Sequence, residues 1–341
     1  MGITNLGKII KSDQIQMKDL YKKRLAIDAN NILYQFLARI RQPDGTPLKD
    51  SEERVTSHLS GLFFRTINLV ENNIEPIYVY DGKPTPLKME VLEARKEKRE
   101  EAKKEWESAI EKGDLIAARK YAQAALFLTK DMISESKKLL EAMGIPYVQA
   151  KSEGESQAAF IALKGDAWAA ASQDWDSLLF GTPQLIRNLT ITGKRKIPGT
   201  DRVIEINIEQ INLKNALNEL SITREQLIDI GILIGTDFNE GITGIGPKKA
   251  LKHIIENKNL EGVIKQGKIK IDFPYEEIRE IFLNPEVRDD YTIKFKDFND
   301  QEILKLLVNE HTFSESRVAT AIKRLKKAKE KKKQKSLDKW F

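Results

Sequence analysis

The chain has 341 residues and no cysteine, which excludes disulfides, cysteine-ligated zinc ribbons and thiol nucleophiles. Histidine is nearly as scarce. The three present, His58, His253 and His311, fall outside every motif singled out below. No apolar run reaches the roughly 18 residues that a membrane-spanning helix needs, and no apolar N-terminal stretch leads to a cleavage signal. Neither membrane insertion nor secretion is expected. A broadly basic body is also missing. The formal charge is +6, but Lys323 to Phe341 alone carry ten basic and two acidic residues. Taking that +8 away leaves −2 for the remainder, so contact with nucleic acid is expected from local patches only.

What is present is charge, at 32% of residues, laid over alternating strand-like and helix-like segments. Short apolar runs predict strands at Leu25 to Asp28, Ile77 to Tyr80, Ile145 to Val148, Ala167 to Ala171, Gln184 to Arg187, around Arg195 to Ile197, and Val203 to Ile206. Helical spacing predicts helices over Asn30 to Arg41, Glu53 to Val70, Ser134 to Met143, Ala158 to Leu163, Ile208 to Leu220 and Thr223 to Ile234. This alternation argues an α/β fold with a mainly parallel central sheet flanked by helices. Between the second and third of these strands lies Lys83 to Lys104, with eight basic and five acidic residues and few large apolar ones. Such a helix cannot be buried on all sides, and composition alone allows a solvated surface excursion.

Carboxylates recur where these strands end: Asp28, Asp81, the pair Glu153 and Glu155, and the pair Asp174 and Asp176. Asp237 follows a helix. In a parallel sheet the strand C-termini share one edge, so acids spread over the chain can meet in space. Packed together they would repel unless cations neutralised them. An all-oxygen donor set suits Mg²⁺ or Mn²⁺ rather than zinc. Two such ions about 4 Å apart serve phosphodiester hydrolysis. Each pair also has a plainer explanation. Acid-x-acid recurs at Asp50/Glu52, Glu105/Glu107 and Asp300/Glu302, and Ser152 to Glu155 reads as a helix capping box.

The sequence resembles the flap endonucleases, structure-specific 5′ nucleases of DNA replication and repair. The resemblance rests on the MGI opening, LAIDANNILYQFL (Leu25 to Leu37), TSHLSGLFFRTINLVENNIEPIYVYDGKPTPLK (Thr56 to Lys88), SEGESQAA, ASQDWDSLLFG, LIGTDFNEGITGIGPKKA and the C-terminal tail. It covers nearly the whole chain, and the short length and tail are most like archaeal members. It implies a PIN-like nuclease fold with a helical arch and a helix–hairpin–helix. It also implies 5′ flap endonuclease and 5′-3′ exonuclease activity in Okazaki fragment processing and repair. By resemblance all seven acids fall on metal-ligand positions for two Mg²⁺ ions, with Mn²⁺ able to substitute. The implied setting is a monomer in the cytoplasm, or in the nucleus of a eukaryote. A non-catalytic DNA-junction and clamp adaptor on the same fold is the alternative, which a missing acid would favour; none is missing. A small-substrate ribonuclease is a third reading.

The resemblance gives further residues a role beside their plain reading. Lys88 and Arg95 lie seven residues apart, about two helical turns, so they share a face. Plainly they are two solvated cations among eight; in the family the matching residues reach the scissile phosphate from the base of the arch. Tyr34 reads as a core aromatic, and by resemblance stacks on a base near the cut. Gly2 reads as a free terminus, and by resemblance lies near the active site. Gly244, Gly246, Lys248 and Lys249 form a glycine turn opening a helix, whose N–H groups and lysines suit a phosphate. There the family grips duplex DNA, helped by a monovalent cation. Gln334, Leu337, Trp340 and Phe341 match the peptide that docks the replication sliding clamp (PCNA), the last three making one apolar face. By composition this tail is disordered until bound. The implied regions are 1–98 and 131–258 for the nuclease, 99–130 for the rest of the arch, 259–325 for a C-terminal helical region, and 326–341 for the tail.

Overall fold

The structure is a computed structural model that describes residues 5–42, 45–114, 117, 121, 127–190, 193–196, 203–267 and 269–337. In chain order the strands and helices are β1 (Asp13–Ile15), β2 (Arg24–Asp28), α1 (Ala29–Arg39), α2 (Ser57–Glu71), β3 (Glu75–Tyr80), α3 (Pro86–Glu111) and α4 (Lys130–Ala142). Next come β4 (Tyr147–Gln149), α5 (Gly154–Leu163), β5 (Ala169–Ala171), α6 (Asp176–Leu179), β6 (Gln184–Arg187), the β7–β8 hairpin (Gly193–Lys196, Val203–Ile206) and β9 (Ile208–Asn212). The chain continues with α7 (Leu213–Leu220), α8 (Arg224–Ile234), α9 (Pro247–Asn257), α10 (Leu260–Lys265), α11 (Tyr275–Leu283), α12 (Asp300–Leu304), a π-helical turn (Lys305–Glu310) and α13 (Glu315–Leu337). Among the described residues no helix is long and apolar enough to cross a membrane.

The main sheet has seven strands in the order β1-β9-β6-β5-β2-β3-β4. The five from β6 to β4 run parallel, and β9 runs antiparallel to both its neighbours. The strand alternation sorts the core. Leu25, Ile27, Tyr78 and Tyr80 enter one apolar cluster with α1, α2, α4 and α13. Ala26, Ile77 and Val79 enter another on the opposite face with α5. Both faces of the parallel strands are thus covered, as crossover helices require. From β2 the chain steps outward through β3 to β4, then returns to β5 on the other flank of β2. The crevice past the ends of β2 and β5 is therefore the topological switch point where open α/β sheets hold their sites.

Three sequence expectations are corrected here. The helix expected from Ile208 begins only at Leu213, because Ile208–Asn212 is drawn into the sheet between β1 and β6. The helix expected from Glu53 begins at Ser57, because the Asp50 carboxylate holds the Glu52 and Arg54 N–H groups at 2.9 Å and keeps that segment a loop. The lysine-rich tail, expected to lack structure alone, continues α13 to Leu337. Lysine, alanine and glutamate are good helix formers, and the helix is docked upstream through Val318, Ala321, Ile322 and Leu325. The Lys329 ammonium also reaches the Met143 and Lys296 carbonyls at 3.2 and 2.9 Å.

The histidines placed outside the motifs turn out to be partly structural. His58 on α2 and His311 both meet Glu135 on α4, at 3.1 and 3.5 Å, and His311 meets Asp50 at 3.0 Å. Arg54 closes the set on Asp50 at 2.8 Å, with Glu52 beside it at 3.5 Å. Burial alone would raise Asp50 and Glu135. Hydrogen bonds from Arg54, His311 and Glu52 bring Asp50 to about 2, and those from His311 and His58 bring Glu135 to about 2. The stability these carboxylates contribute is present above their ordinary value of about 4 and is lost as pH falls toward 2. Across neutrality the histidines oppose each other. His311 is raised by Glu135 and its contribution fades as pH climbs through that raised value. His58 is lowered by burial and loses stability as pH falls through the ordinary histidine value. The expected melting temperature drops in acid as Asp50 and Glu135 are protonated. Asp50→Asn, followed by thermal melting, lowers the neutral plateau and flattens the acid limb; parallel wild-type and variant profiles contradict this role.

Candidate active site

Each acid reaches the switch-point edge by a local device. Asp28 ends β2 and caps α1, its Oδ1 accepting the Asn31 N–H at 3.0 Å. Asp81 follows β3, and its Oδ1 accepts the Gly154 N–H at 2.8 Å across the edge from α5. Glu153 is the residue before α5, and Glu155 lies in its first turn. The capping-box explanation of this pair fails: Ser152 is not the cap, and its buried hydroxyl has no hydrogen-bond partner among the described residues. Glu155 instead accepts the Ser172 hydroxyl at 2.6 Å, and the same hydroxyl accepts the Asp174 N–H at 3.2 Å. Asp174 accepts the Asn31 side-chain amide at 2.8 Å. Asp176 opens α6 and is buried. Asp237 enters from the turn after α8.

All seven lie in one electrostatic neighbourhood. Burial, then Asp81 and Asp174, hold the Asp28 carboxyl well above the usual carboxylate range. Burial does the same to Glu155, followed by Asp174, Asp176 and Asp28. Glu153 is raised by burial and by Asp81 and Asp237, against the opposing pull of Lys88. So much buried negative charge calls for cations. Among the described residues no group of three acidic or histidine side chains is drawn close enough to hold an ion. The Lys88 ammonium stands among the acids, in contact with Glu153 and 3.5 Å from Asp237. The donor set still fits a hard divalent ion, since every carboxylate offers oxygen and no histidine or thiol is near. The raised Asp28, Glu153 and Glu155 carboxyls mark charge that such an ion would relieve.

The other expected residues divide. Lys88 lies in the first turn of α3, a helix of about 39 Å that rises from the site and is seated by the packing of Leu87. Only 14% of its side chain is exposed, so the plain reading of a solvated cation does not hold for it. Arg95 is two turns further along α3, with its side chain outside the described residues. Tyr34 is half-buried on α1, and the Arg99 guanidinium of α3 covers its ring face at 5.6 Å. Gly244 takes φ of +80°, a left-handed value that favours glycine, and Gly246 caps α9. Lys248 and Lys249 are exposed there, Lys249 holding the Gly244 carbonyl at 3.0 Å. With α8 before it, this turn is a helix–hairpin–helix. Gln334 and Leu337 lie on the backbone of α13, with their side chains outside the described residues; Gly2, Trp340 and Phe341 are also outside them.

Sequence reading passed over the residues that position the acids. Asn31 links Asp28 to Asp174. Ser172 links Glu155 to the Asp174 backbone. Arg187, at the end of β6, holds the loop Gln173 to Trp175: it donates to the Gln173 carbonyl at 3.1 Å and covers the Trp175 ring at 4.3 Å. Gly154 lets the Asp81 carboxylate approach closely, since a Cβ there would lie 2.7 Å from Asp81 Oδ1. The available signal was their place one to three residues from an acid, or at the end of the next strand.

Residues 1–102 match the XPG N-terminal domain and residues 144–237 the XPG I-region. The chain is 54% identical over 342 residues to the flap endonuclease 1 of Pyrococcus abyssi, covering 100% of this chain and 98% of that one. With the flap endonuclease 1 of Caldivirga maquilingensis it shares 53% over 337 residues, 96% of each chain. Its structure is similar to that of flap endonuclease-1 from Methanococcus jannaschii, with 40% identity, a TM-score of 0.77, and 97% and 100% of the two chains covered. The catalytic core of Rad2 in complex with DNA is alike at a TM-score of 0.69 and 23% identity, covering 92% and 96%, which speaks to fold alone. Full-length identity above one half, on a PIN-like sheet carrying these acids at its switch point, means that the chain belongs to the flap endonuclease family, on its archaeal side.

Proposed function

We propose that this protein hydrolyses the phosphodiester at the base of a 5′ flap in DNA, with associated 5′-3′ exonuclease activity, in Okazaki fragment processing and repair. The observation that carries the reading is that seven carboxylates share one electrostatic neighbourhood, with Lys88 at the foot of α3 among them. Asp28, Asp81, Glu153, Glu155, Asp174, Asp176 and Asp237 would hold two Mg²⁺ ions, Mn²⁺ serving in their place. When bound, such ions supply an activated water and charge stabilisation at the leaving oxygen. The chain's own groups do the rest. Lys88 and Arg95 offer positive charge to the nonbridging oxygens of the phosphate. Tyr34 offers a ring on which a base can stack whatever its identity. The turn at Gly244 to Lys249 grips the duplex backbone away from the cut, with a monovalent cation completing it. Recognition by backbone and shape suits an enzyme that selects a junction and not a sequence. Gln334, Leu337, Trp340 and Phe341 dock the sliding clamp and keep the enzyme at replicating DNA. The setting is the cytoplasm of an archaeal-type cell, where the chain works as a monomer.

The test is incision of a 5′-labelled flap duplex by the purified full chain in Mg²⁺ and in chelator, beside single-stranded RNA of the same length. Metal-dependent cutting near the flap base, with the RNA left intact, is the expected result. No cutting in Mg²⁺, or equal cutting of the RNA, overturns the reading.

A further inference from the structure

Lys88 does not sit as a residue waiting only for a phosphate. It belongs to a helix whose Lys96, Lys98, Lys103 and Lys104 face solvent, yet its own ammonium is turned inward. It contacts Glu153 and lies 3.5 Å from Asp237. Asp81 acts on it as well. These acids come from three elements, the end of β3, the start of α5 and the turn after α8, so one ammonium ties together three parts of the site. A buried carboxylate group of this kind needs a counter-ion at every stage, including before any metal arrives.

We propose that Lys88 is the resident counter-ion of the acid cluster in the metal-free enzyme, and that its ammonium leaves Glu153 and Asp237 when a divalent cation is bound. Two physical facts require the exchange. An ammonium and a doubly charged cation repel each other twice as strongly as two unit charges at the same distance. The oxygens of Glu153 and Asp237 that Lys88 now occupies are among those the cation needs. The four-carbon lysine stem lets the charged end swing while Leu87 keeps the helix seated. Released from the acids, the ammonium becomes available at the foot of α3, where the proposed function needs a cation at the phosphate. Metal loading and the arming of Lys88 are thus one event. Lysine suits this role better than arginine, whose planar fork would hold a carboxylate through two bonds and give it up less readily. The inference rests on the metal sites proposed above.

The test reads binding and lysine accessibility, with no turnover needed. Sparse reductive methylation of the full wild-type chain, located by mass spectrometry, is run without metal and with Mg²⁺. Lys88 is expected to be protected without metal and to label several-fold faster with it, while exposed Lys83 labels equally in both. Calorimetric titration with Mn²⁺ is expected to show Lys88→Met binding about tenfold more tightly than wild type, and Lys88→Arg more weakly. Labelling of Lys88 that Mg²⁺ leaves unchanged, in a chain that binds Mn²⁺, overturns the inference and leaves the proposed function standing. So does a Lys88→Met protein with wild-type affinity. A wild-type chain that binds no Mn²⁺ overturns both.

Discussion

Asp174→Ala is expected to lower flap incision by about three orders of magnitude, the loss of roughly 4 kcal/mol of transition-state stabilisation. Asp174 bears on two of the three cluster acids whose carboxyls are raised. Its charge acts on Asp28 from one side and on Glu155 from the other. Its carboxylate is held by the Asn31 amide at 2.8 Å and its N–H by the Ser172 hydroxyl at 3.2 Å. An acid so placed bears on both neighbours, so its removal weakens the cluster at two points. The same position makes it a source of repulsion in the metal-free protein, where it pushes the Asp28 and Glu155 carboxyls upward. Its removal relieves that repulsion, and the melting temperature without metal should stay level or rise. Single-turnover cleavage of a flap duplex and thermal melting in chelator check the two halves of the prediction. Cutting within tenfold of wild type would take Asp174 out of the metal set; a large fall in melting temperature would make its role structural.

Gly154→Ala is expected to cost about a hundredfold in incision rate with little change in stability, because misplacing a catalytic group by about 1 Å has that effect. The Gly154 N–H donates to Asp81 Oδ1 at 2.8 Å, and a Cβ would stand 2.7 Å from that oxygen and 3.3 Å from the Val79 carbonyl. Alanine is welcome in the first turn of a helix, and Gly154 does not use a left-handed conformation, so the backbone has no cause to object. The cheapest response is for the Asp81 carboxylate to turn aside. Asp81 is the acid that acts on both Asp28 and Glu153, so its displacement disturbs the cluster where Lys88 also sits. Cleavage rates, melting curves and flap-DNA binding in chelator separate the outcomes: binding and melting hold while the rate falls. An unchanged rate means that the Asp81 position does not limit the reaction.

How much of this site the sequence displayed depends on the residue. Asp28 and Asp81 were visible because each closes a short β-branched or aromatic run, and local patterning governs where a strand ends. The Glu153/Glu155 pair was visible but ambiguous, since a serine three residues before a glutamate has the form of a capping box. The backbone settled it by starting α5 one residue later and leaving the Ser152 hydroxyl unpartnered among the described residues. Ile208 to Asn212 has apolar spacing that serves a helix or a strand, and only the open edge of β6 decided for the strand. The continuation of the Asp50 loop up to Ser57 was missed because the carboxylate that bonds the Glu52 and Arg54 N–H groups is itself fixed by His311, 261 positions away. Tyr34 shows why single-residue readings stop short: it is neither a plain core ring nor an open platform, being half-buried with Arg99 across its face.

The sequence by itself determined the chemistry of the donors. Seven carboxylates, no cysteine and no histidine near them admit a hard cation and little else, and local periodicity put most of them just past strands. Only the tertiary structure decided that these acids share one place. That outcome depends on which strands lie side by side, and β5 returns to β2 after more than a hundred intervening residues have gone elsewhere. Pairing of that range is set by the summed burial of both sheet faces, which no short window of sequence contains. The same is true of Lys88. Its helix is written in mostly polar residues that predict a solvated surface, and its ammonium is drawn inward because the fold gathers negative charge at its foot.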